Sequence, residues 1–217
     1  MHYDIVIATP ANSFTPPYVH SLIKTIKAIE ERGLSWTFIS KGASIVNVAR
    51  EATIENTNKF DLNNRSPMGG QHTYNKIISI DSDISWEPEQ FFKLYDWDLD
   101  VVSGVYIGEN KKQTNVHLND RPLQVSDFEW RDTPFRCDGF GFGFLAIKQG
   151  VFEALSRSWF QPVLQTLIKS ETGEQFVMYM GEDLSWCHRV GNLGYYMWCD
   201  PTIKVSHHKT QEINFDN

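Results

Sequence analysis

The chain reads as an α/β domain with a mostly parallel central sheet and helices on both faces, and three observations predict it. Over residues 1–106, apolar runs rich in β-branched residues alternate with helix-patterned segments, the order from which a parallel sheet with crossover helices is built. The run Lys76 to Ile80 (KIISI) is apolar enough for the middle of such a sheet. Finally, 217 residues that are 41% hydrophobic, with 14 Phe, 8 Tyr and 7 Trp, can fill one sizeable core and leave rings over for a cleft.

Tyr3 to Ala8 is the first strand, ended by Thr9-Pro10. Thr15-Pro16-Pro17 supplies a capping hydroxyl and prolines for a first helical turn, and Gly33 closes that helix. Val19, Leu22, Ile23, Ile26 and Ile29 recur at helical spacing opposite Lys24, Lys27, Glu30 and Glu31, so they form its expected buried face. Leu34 to Ile39 is the second strand, Ile45 to Asn58 a second helix, and Asn63 to Gly70 a loop. Trp86-Glu87-Pro88 opens a third helix through Tyr95, and Leu99 to Val105 is a further strand. A ligand on such a sheet sits at the carboxyl ends of the strands.

After Tyr106 the alternation stops. Residues 107–136 are polar, turn-rich and mixed in charge, with at most short strands such as Leu123 to Val125, and read as an excursion over the cleft. Phe142 to Lys148 follows as a strand, Gln149 to Arg157 as a short helix, Gln175 to Met178 as a strand and Glu182 to Val190 as a helix. Tyr195 to Cys199 and Ile203 to Val205 complete a short antiparallel C-terminal part, with a loose tail after Lys209.

A formal charge of -7 argues against holding nucleic acid by a broad basic face, since that affinity comes mainly from neutralising phosphates. Cys137, Cys187 and Cys199 form no CxxC pair and are odd in number, which fits buried free thiols in a reducing compartment. MHYDIVIATP starts as a strand and not as a signal peptide, and no stretch approaches the ~20 apolar residues of a membrane helix. The expectation is a cytoplasmic protein, in the host cytoplasm if viral, with no integral membrane segment. Nothing in the sequence bears on oligomeric state.

Asp81-Ser82-Asp83, a DxD tripeptide, directly follows the central strand, and carboxylates at that spacing repel unless a cation or donors sit between them. In extended geometry Asp81 and Asp83 point the same way with Ser82 turned aside, so both can face Mg2+ or Mn2+ and a pyrophosphate; the alternative is that they cap the next turn and helix. Imidazole suits Mn2+, and the adjacent His207 and His208 point oppositely on an extended segment, so one of them at most is a ligand. Glu182-Asp183 after Gly181 is either a capping pair at a helix start or a carboxylate base for an acceptor hydroxyl. Gly139 to Phe144 alternates glycine with phenylalanine, either letting backbone approach a ligand while rings line a sugar-sized wall, or making a tight bend with core rings. Arg50, on the second helix, is either solvated or reaches a diphosphate bidentately.

Taken together, IVIATP, the helix carrying Ala49-Arg50, IISIDSDISWEPEQFFKL, DVVSGVY, CDGFGFGFLAIK, GEDLSWCHRV and GYYMWCDPTIKVSHHK resemble, in order and spacing, the GT-A glycosyltransferases, in particular small family-2-like enzymes of bacteria and bacteriophage. The resemblance implies a single domain, 1–217, with a nucleotide-binding half about 1–106 and an acceptor and donor-sugar half about 107–209. It places Thr9 and Pro10 at the nucleotide base and Arg50 and Ser82 on the nucleotide. Asp81 falls at the ribose or the metal's water shell, Asp83 and His207 on the metal, and Gly141, Phe142 and Gly143 at the donor sugar. Glu182-Asp183 matches the acidic pair, with Asp183 as base if the reaction inverts. Residues 63–74 and 107–136 have no counterpart in the resemblance.

The implied activity is hexosyl or pentosyl transfer from a UDP- or GDP-type sugar to a hydroxyl, with Mn2+ or Mg2+ as cofactor. The acceptor is a saccharide or, as the rival, a hydroxymethylated base in phage DNA, for which Lys111, Lys112, Arg121, Trp130, Arg131 and Arg136 speak and nearby acidic residues speak against. A nucleotidyltransferase would want a basic residue in ATPANSFTPP, which has none. A non-catalytic sugar-binding domain is the remaining alternative.

Overall fold

The computed structural model describes residues 1–56, 66–108, 111–119, 121–168, 172–173 and 175–209. Outside them lie Asn63 to Arg65 of the expected loop, Thr57-Asn58 of the expected second helix, and the tail beyond Lys209.

The first half comprises β1 (His2–Ala8), α1 (Pro16–Glu31), β2 (Trp36–Ile39), α2 (Val46–Glu55), β3 (Thr73–Ile80), β4 (Ile84–Ser85), α3 (Pro88–Asp96) and β5 (Val101–Val105). The second comprises β6 (Gln113–Leu118), β7 (Arg121–Gln124), β8 (Phe135–Cys137), β9 (Gly139–Phe140), β10 (Phe144–Lys148), α4 (Val151–Ala154), β11 (Val163–Ile168), β12 (Gln175–Met180), α5 (Glu182–Gly191), β13 (Met197–Lys204) and β14 (Ser206–His207). Seven strands form the main sheet in the order β2-β1-β3-β10-β5-β13-β8. Neighbours β2, β1 and β3 are parallel, as are β5 and β13, while β10 and β8 run against their neighbours.

The period-2 alternation of these strands feeds two cores. Ile5 and Ile7 of β1, Ile78 and Ile80 of β3, and Phe144 and Ala146 of β10 face α1 and α3. Val6 and Ala8, Ile77, and Leu145 and Ile147 face α2, α4 and α5 on the opposite side. Both faces are therefore covered, and the central strands have no polar side to show, which is why they read as continuous apolar runs. Among the described residues no helix is long and apolar enough to cross a membrane.

The structure corrects four sequence expectations. On α1 the buried residues are Tyr18, Ser21, Thr25 and Ile29, whereas Val19 and Ile23 are 38% and 54% exposed. The hydroxyls face inward because Ser21 Oγ accepts the Trp86 backbone N–H (3.0 Å) and Thr25 Oγ1 accepts the Trp86 indole N–H (2.8 Å), satisfying buried donors. Residues 107–136 do more than loop over a cleft: β6 pairs with β7 and β9 in a three-stranded sheet, and β8 extends the main one. Buried Thr114 and Asn115 break the hydrophobic alternation that would have announced β6, while Val116, Leu123 and Phe128 pack with Val105 and Cys199 beneath it. Before β12, the unforeseen β11 forms a hairpin with it. Lastly, β13 runs unbroken through Asp200-Pro201, absorbing the proline in a register shift against β5 between Cys199 and Lys204.

Candidate functional site

Three parallel strands end at one edge of the sheet, and the residues just beyond them, Pro10 after β1, Asp81 after β3 and Tyr106 after β5, line a common cavity of about 270 Å3. The chain after β3 does not stay extended: the Ile84 N–H donates to the Asp81 carbonyl (3.0 Å), closing a tight turn. Asp81 and Asp83 both line the cavity but take different partners.

Asp81 turns to Arg50. The guanidinium grips it in a fork, Nη1 to Oδ1 at 2.9 Å and Nη2 to Oδ2 at 3.2 Å. Its Nε lies 3.4 Å from Glu182 Oε1 and 3.4 Å from Asp183 Oδ1. Arg50, 5% exposed, thus stands at the centre of three carboxylates and is not solvated. Burial works against its charge, but Asp81, Asp183 and Glu182 outweigh that and hold it firmly protonated. Asp183, at the uncapped start of α5, accepts the Phe142 N–H at Oδ2 (3.3 Å). Burial pushes its carboxyl well above the usual range; Arg50 pulls it down, and the charges of Glu182 and Asp81 push it up again.

Asp83 turns to the C-terminal strand β14. Its Oδ2 lies 3.3 Å from His207 Nε2 and 3.0 Å from Lys209 Nζ. His207 Nδ1 is 3.0 Å from the Ile107 carbonyl, which can only accept, so Nδ1 carries the hydrogen and Nε2 faces the carboxylate. Two acceptors so placed need a proton or a cation between them. Burial raises the Asp83 carboxyl, yet the hydrogen bonds and charges of His207 and Lys209 prevail and bring it to about 2. His208 points the other way, its Nε2 2.7 Å from Ser85 Oγ, so the two histidines divide as their opposed directions predict.

The pair Asp83 and His207 fits a divalent ion. Two cis ligands at about 2.1 Å from an octahedral metal stand roughly 3 Å apart, close to the separation seen here. Among the described residues no group of three His, Cys, Asp or Glu side chains gathers around one point. Asp81 has both oxygens held by Arg50. Remaining positions of an ion here fall to water or ligand oxygens, the usual situation for Mg2+ beside a phosphate.

Other sequence-predicted residues divide between wall and support. Pro10 and Ser82 line the cavity, whereas Thr9 is wholly buried behind it, its hydroxyl 2.5 Å from that of Tyr18. Phe142 is a core ring, packed against Phe160 and Trp186 and 5.5 Å from the Arg50 guanidinium, so it does not form a sugar wall. Gly141 and Gly143 are glycines because of Tyr106: a Cβ would stand 2.4 Å from the Tyr106 hydroxyl at Gly141 and 2.7 Å from its ring at Gly143. Gly143→Ala is expected to cost about 1–3 kcal/mol by overpacking, read as a lower urea midpoint; an unchanged midpoint would show that the Tyr106 ring has room to move.

Tyr106, Lys209 and His117 are site residues that the sequence reading misses. Tyr106 accepts the Gly143 N–H (3.1 Å), meets the His207 ring edge-on at 5.3 Å, and lines both the first cavity and a second one of about 290 Å3. Its place directly after a parallel strand was a usable signal. Lys209 and His117 carried none, because their neighbours are distant in sequence.

No protein-family model and no curated protein matches the chain. Solved structures similar to it include the following two. The crystal structure of A197 from STIV matches 98% of this chain and 98% of that one, at 15% identity and a TM-score of 0.49. The crystal structure of GalNAc-T7 with UDP, GalNAc and Mn2+ matches 96% of this chain at 12% identity and a TM-score of 0.54. The chain spans 44% of that second structure. The mostly parallel sheet covered on both faces, together with the GalNAc-T7 likeness, shows a GT-A-like α/β fold.

Proposed function

We propose that this chain is a metal-dependent glycosyltransferase that moves a sugar from a UDP- or GDP-type nucleotide sugar to a hydroxyl acceptor. The observation that carries the reading is the ligand-spaced pair Asp83 and His207 opening on the same cavity as Arg50 and Asp81. The cavity wall carries Asp81 and Asp83 beside Arg50 and Lys209, and Arg50 is shared further with Glu182 and Asp183, so little positive charge is left for a diphosphate unless a divalent ion supplies it.

In this reading Pro10 and Val46 give the cavity its apolar side for the nucleotide. Arg50, spent on three carboxylates, holds Asp81 and Asp183 in place and does not itself grip phosphate. Asp83 and His207 would hold a divalent ion, Mn2+ or Mg2+, which would supply positive charge to the departing diphosphate. Asp183 takes the proton of the acceptor hydroxyl as that oxygen bonds to the anomeric carbon; the bond from that carbon to the diphosphate breaks, its electron pair leaving on the diphosphate. Direct displacement of this kind inverts the anomeric centre.

The test is thermal unfolding with UDP, GDP and their hexoses, with and without Mn2+. At a hundredfold excess over Kd, ligand stabilises by about 2.7 kcal/mol. The expected result is stabilisation by a diphosphate only when metal is present, lost in Asp83→Ala. A nucleotide effect that is absent, or indifferent to metal, would sink the reading. Metal-dependent binding without donor hydrolysis or transfer would favour a sugar-binding domain instead.

A further inference from the structure

We infer that the second cavity takes an uncharged polyhydroxyl acceptor, a sugar, and that His117 orients it. This rests on the glycosyl-transfer reading above, which leaves the acceptor open. The cavity shares Tyr106 with the first and includes Asp183 in its wall. At about 290 Å3 it stands near the small end of ligand pockets, roughly 300–1,000 Å3, a scale for one sugar ring.

Charge decides the class of ligand. Among the described residues the ionisable lining is Glu182, Asp183, Tyr106 and His117, with no lysine or arginine. Burial lowers the affinity of His117 for a proton, against the smaller opposing pull of Asp138, so the ring supplies no standing positive charge near neutral pH. A phosphate or carboxylate on the acceptor would face Glu182 and Asp183, whose cation, Arg50, is already shared with Asp81 and does not line the cavity. A neutral hydroxyl meets no such opposition.

Hydrogen-bonding capacity decides which residue orients that ligand. Asn115 is fully used: its Oδ1 accepts the Tyr106 N–H, and its Nδ2 donates to Ser103 Oγ and to the Gly104 carbonyl. Thr114 gives its hydroxyl hydrogen to the Leu123 carbonyl. The His117 ring, by contrast, makes no hydrogen bond within the described structure. Neutral imidazole offers one donor and one acceptor, a match for neighbouring hydroxyls on a ring. Gly141 stands directly against the phenol and the base, with no room for a side chain between: a Cβ there would meet Tyr106 Oη at 2.4 Å and Asp183 Oδ2 at 3.5 Å.

The same observations weigh against a base in DNA. A strand brings phosphates that need a cationic track. Arg121 is paired with Asp127 at 3.4 Å, the Arg131 guanidinium lies over Trp130 and Phe135, and that of Arg136 lies 3.5 Å over Tyr196. None of the three lines the cavity.

The experiment offers the protein, with Mn2+ and UDP- and GDP-hexoses, three acceptor sets: free hexoses and neutral disaccharides, their 6-phosphates and hexuronates, and a hydroxymethylated DNA duplex at low salt. The expected result is at least tenfold higher kcat/KM for neutral sugars. His117→Ala should raise the acceptor KM about tenfold while the Mn2+-dependent nucleotide shift persists, with partial recovery in His117→Gln. Better transfer to phosphorylated sugars or DNA, or an unchanged acceptor KM in His117→Ala, overturns the inference and leaves the glycosyl-transfer reading standing. Donor hydrolysis with no transfer to any neutral sugar does the same. A wild-type protein with no metal-dependent nucleotide shift removes the reading itself, and this inference with it.

Discussion

Arg50→Ala is expected to destabilise the fold by about 3–5 kcal/mol, because it strips the shared cation from carboxylates that remain largely out of water. The side chain is 5% exposed, and Asp81, Glu182 and Asp183 all lie within 3.4 Å of its nitrogens. Those carboxylates come from two separate places, the turn after β3 and the first two residues of α5, so their repulsion would pry α5 from the strand end. The deficit should depend on pH with a definite sign. Arg50 lowers the Asp183 pKa, so its removal lifts that carboxyl further above its unfolded value. A group raised in the folded state contributes most below its unfolded pKa and loses that contribution as pH rises through the folded one. The variant should therefore be worst relative to wild type at neutral and alkaline pH and recover as pH falls through the carboxylate range. Urea unfolding of both proteins across pH reads this directly. A deficit under about 1 kcal/mol, or one flat with pH, would mean the carboxylates find other partners.

How much of this was legible in sequence depends on how local the physics is. The first strands, the Thr15 cap of α1 and the helix after Trp86 were readable because caps, prolines and apolar periods act over a few residues. Asp83 and His207 were identifiable as a pair through the family resemblance, and the structure brings them within 3.3 Å. The split between Asp81 and Asp83 was not legible, since it turns on one backbone hydrogen bond from Ile84 that converts an extended tripeptide into a turn. The Gly-Phe alternation left two readings open, and the core-ring one matches: Phe140, Phe142 and Phe144 are all core rings, while Gly141 and Gly143 answer to Tyr106, a residue 35 or more positions earlier. The buried face of α1 went wrong where polar satisfaction of Trp86 overrode hydrophobic spacing.

Asp183→Asn is expected to slow sugar transfer by about 10^2–10^4-fold, the usual contribution of a positioned general base. The amide keeps the shape of the carboxylate and can still accept the Phe142 N–H, so the metal-dependent nucleotide shift should survive. The pH profile separates loss of a base from loss of a fold. In the wild type, burial pushes Asp183 above the ordinary aspartate value near 3.9, and a base works only when ionised. kcat/KM should therefore fall as pH drops through that raised pKa, an acid limb displaced upward, and the limb should vanish in Asp183→Asn. Arg50 opposes the shift, so the pair sets the limb jointly: burial makes the carboxylate basic, and the positive charge holds its pKa below what burial alone would give. Persistence of the limb in the variant would move the role to Glu182, which shares Arg50 at the same 3.4 Å and lines the same cavity. The anomeric configuration of the new glycosidic bond, read by proton NMR, decides the remaining point: a base on this side of the acceptor with no second nucleophile requires inversion, and a retained anomer would exclude Asp183 as the sole carboxylate of the step.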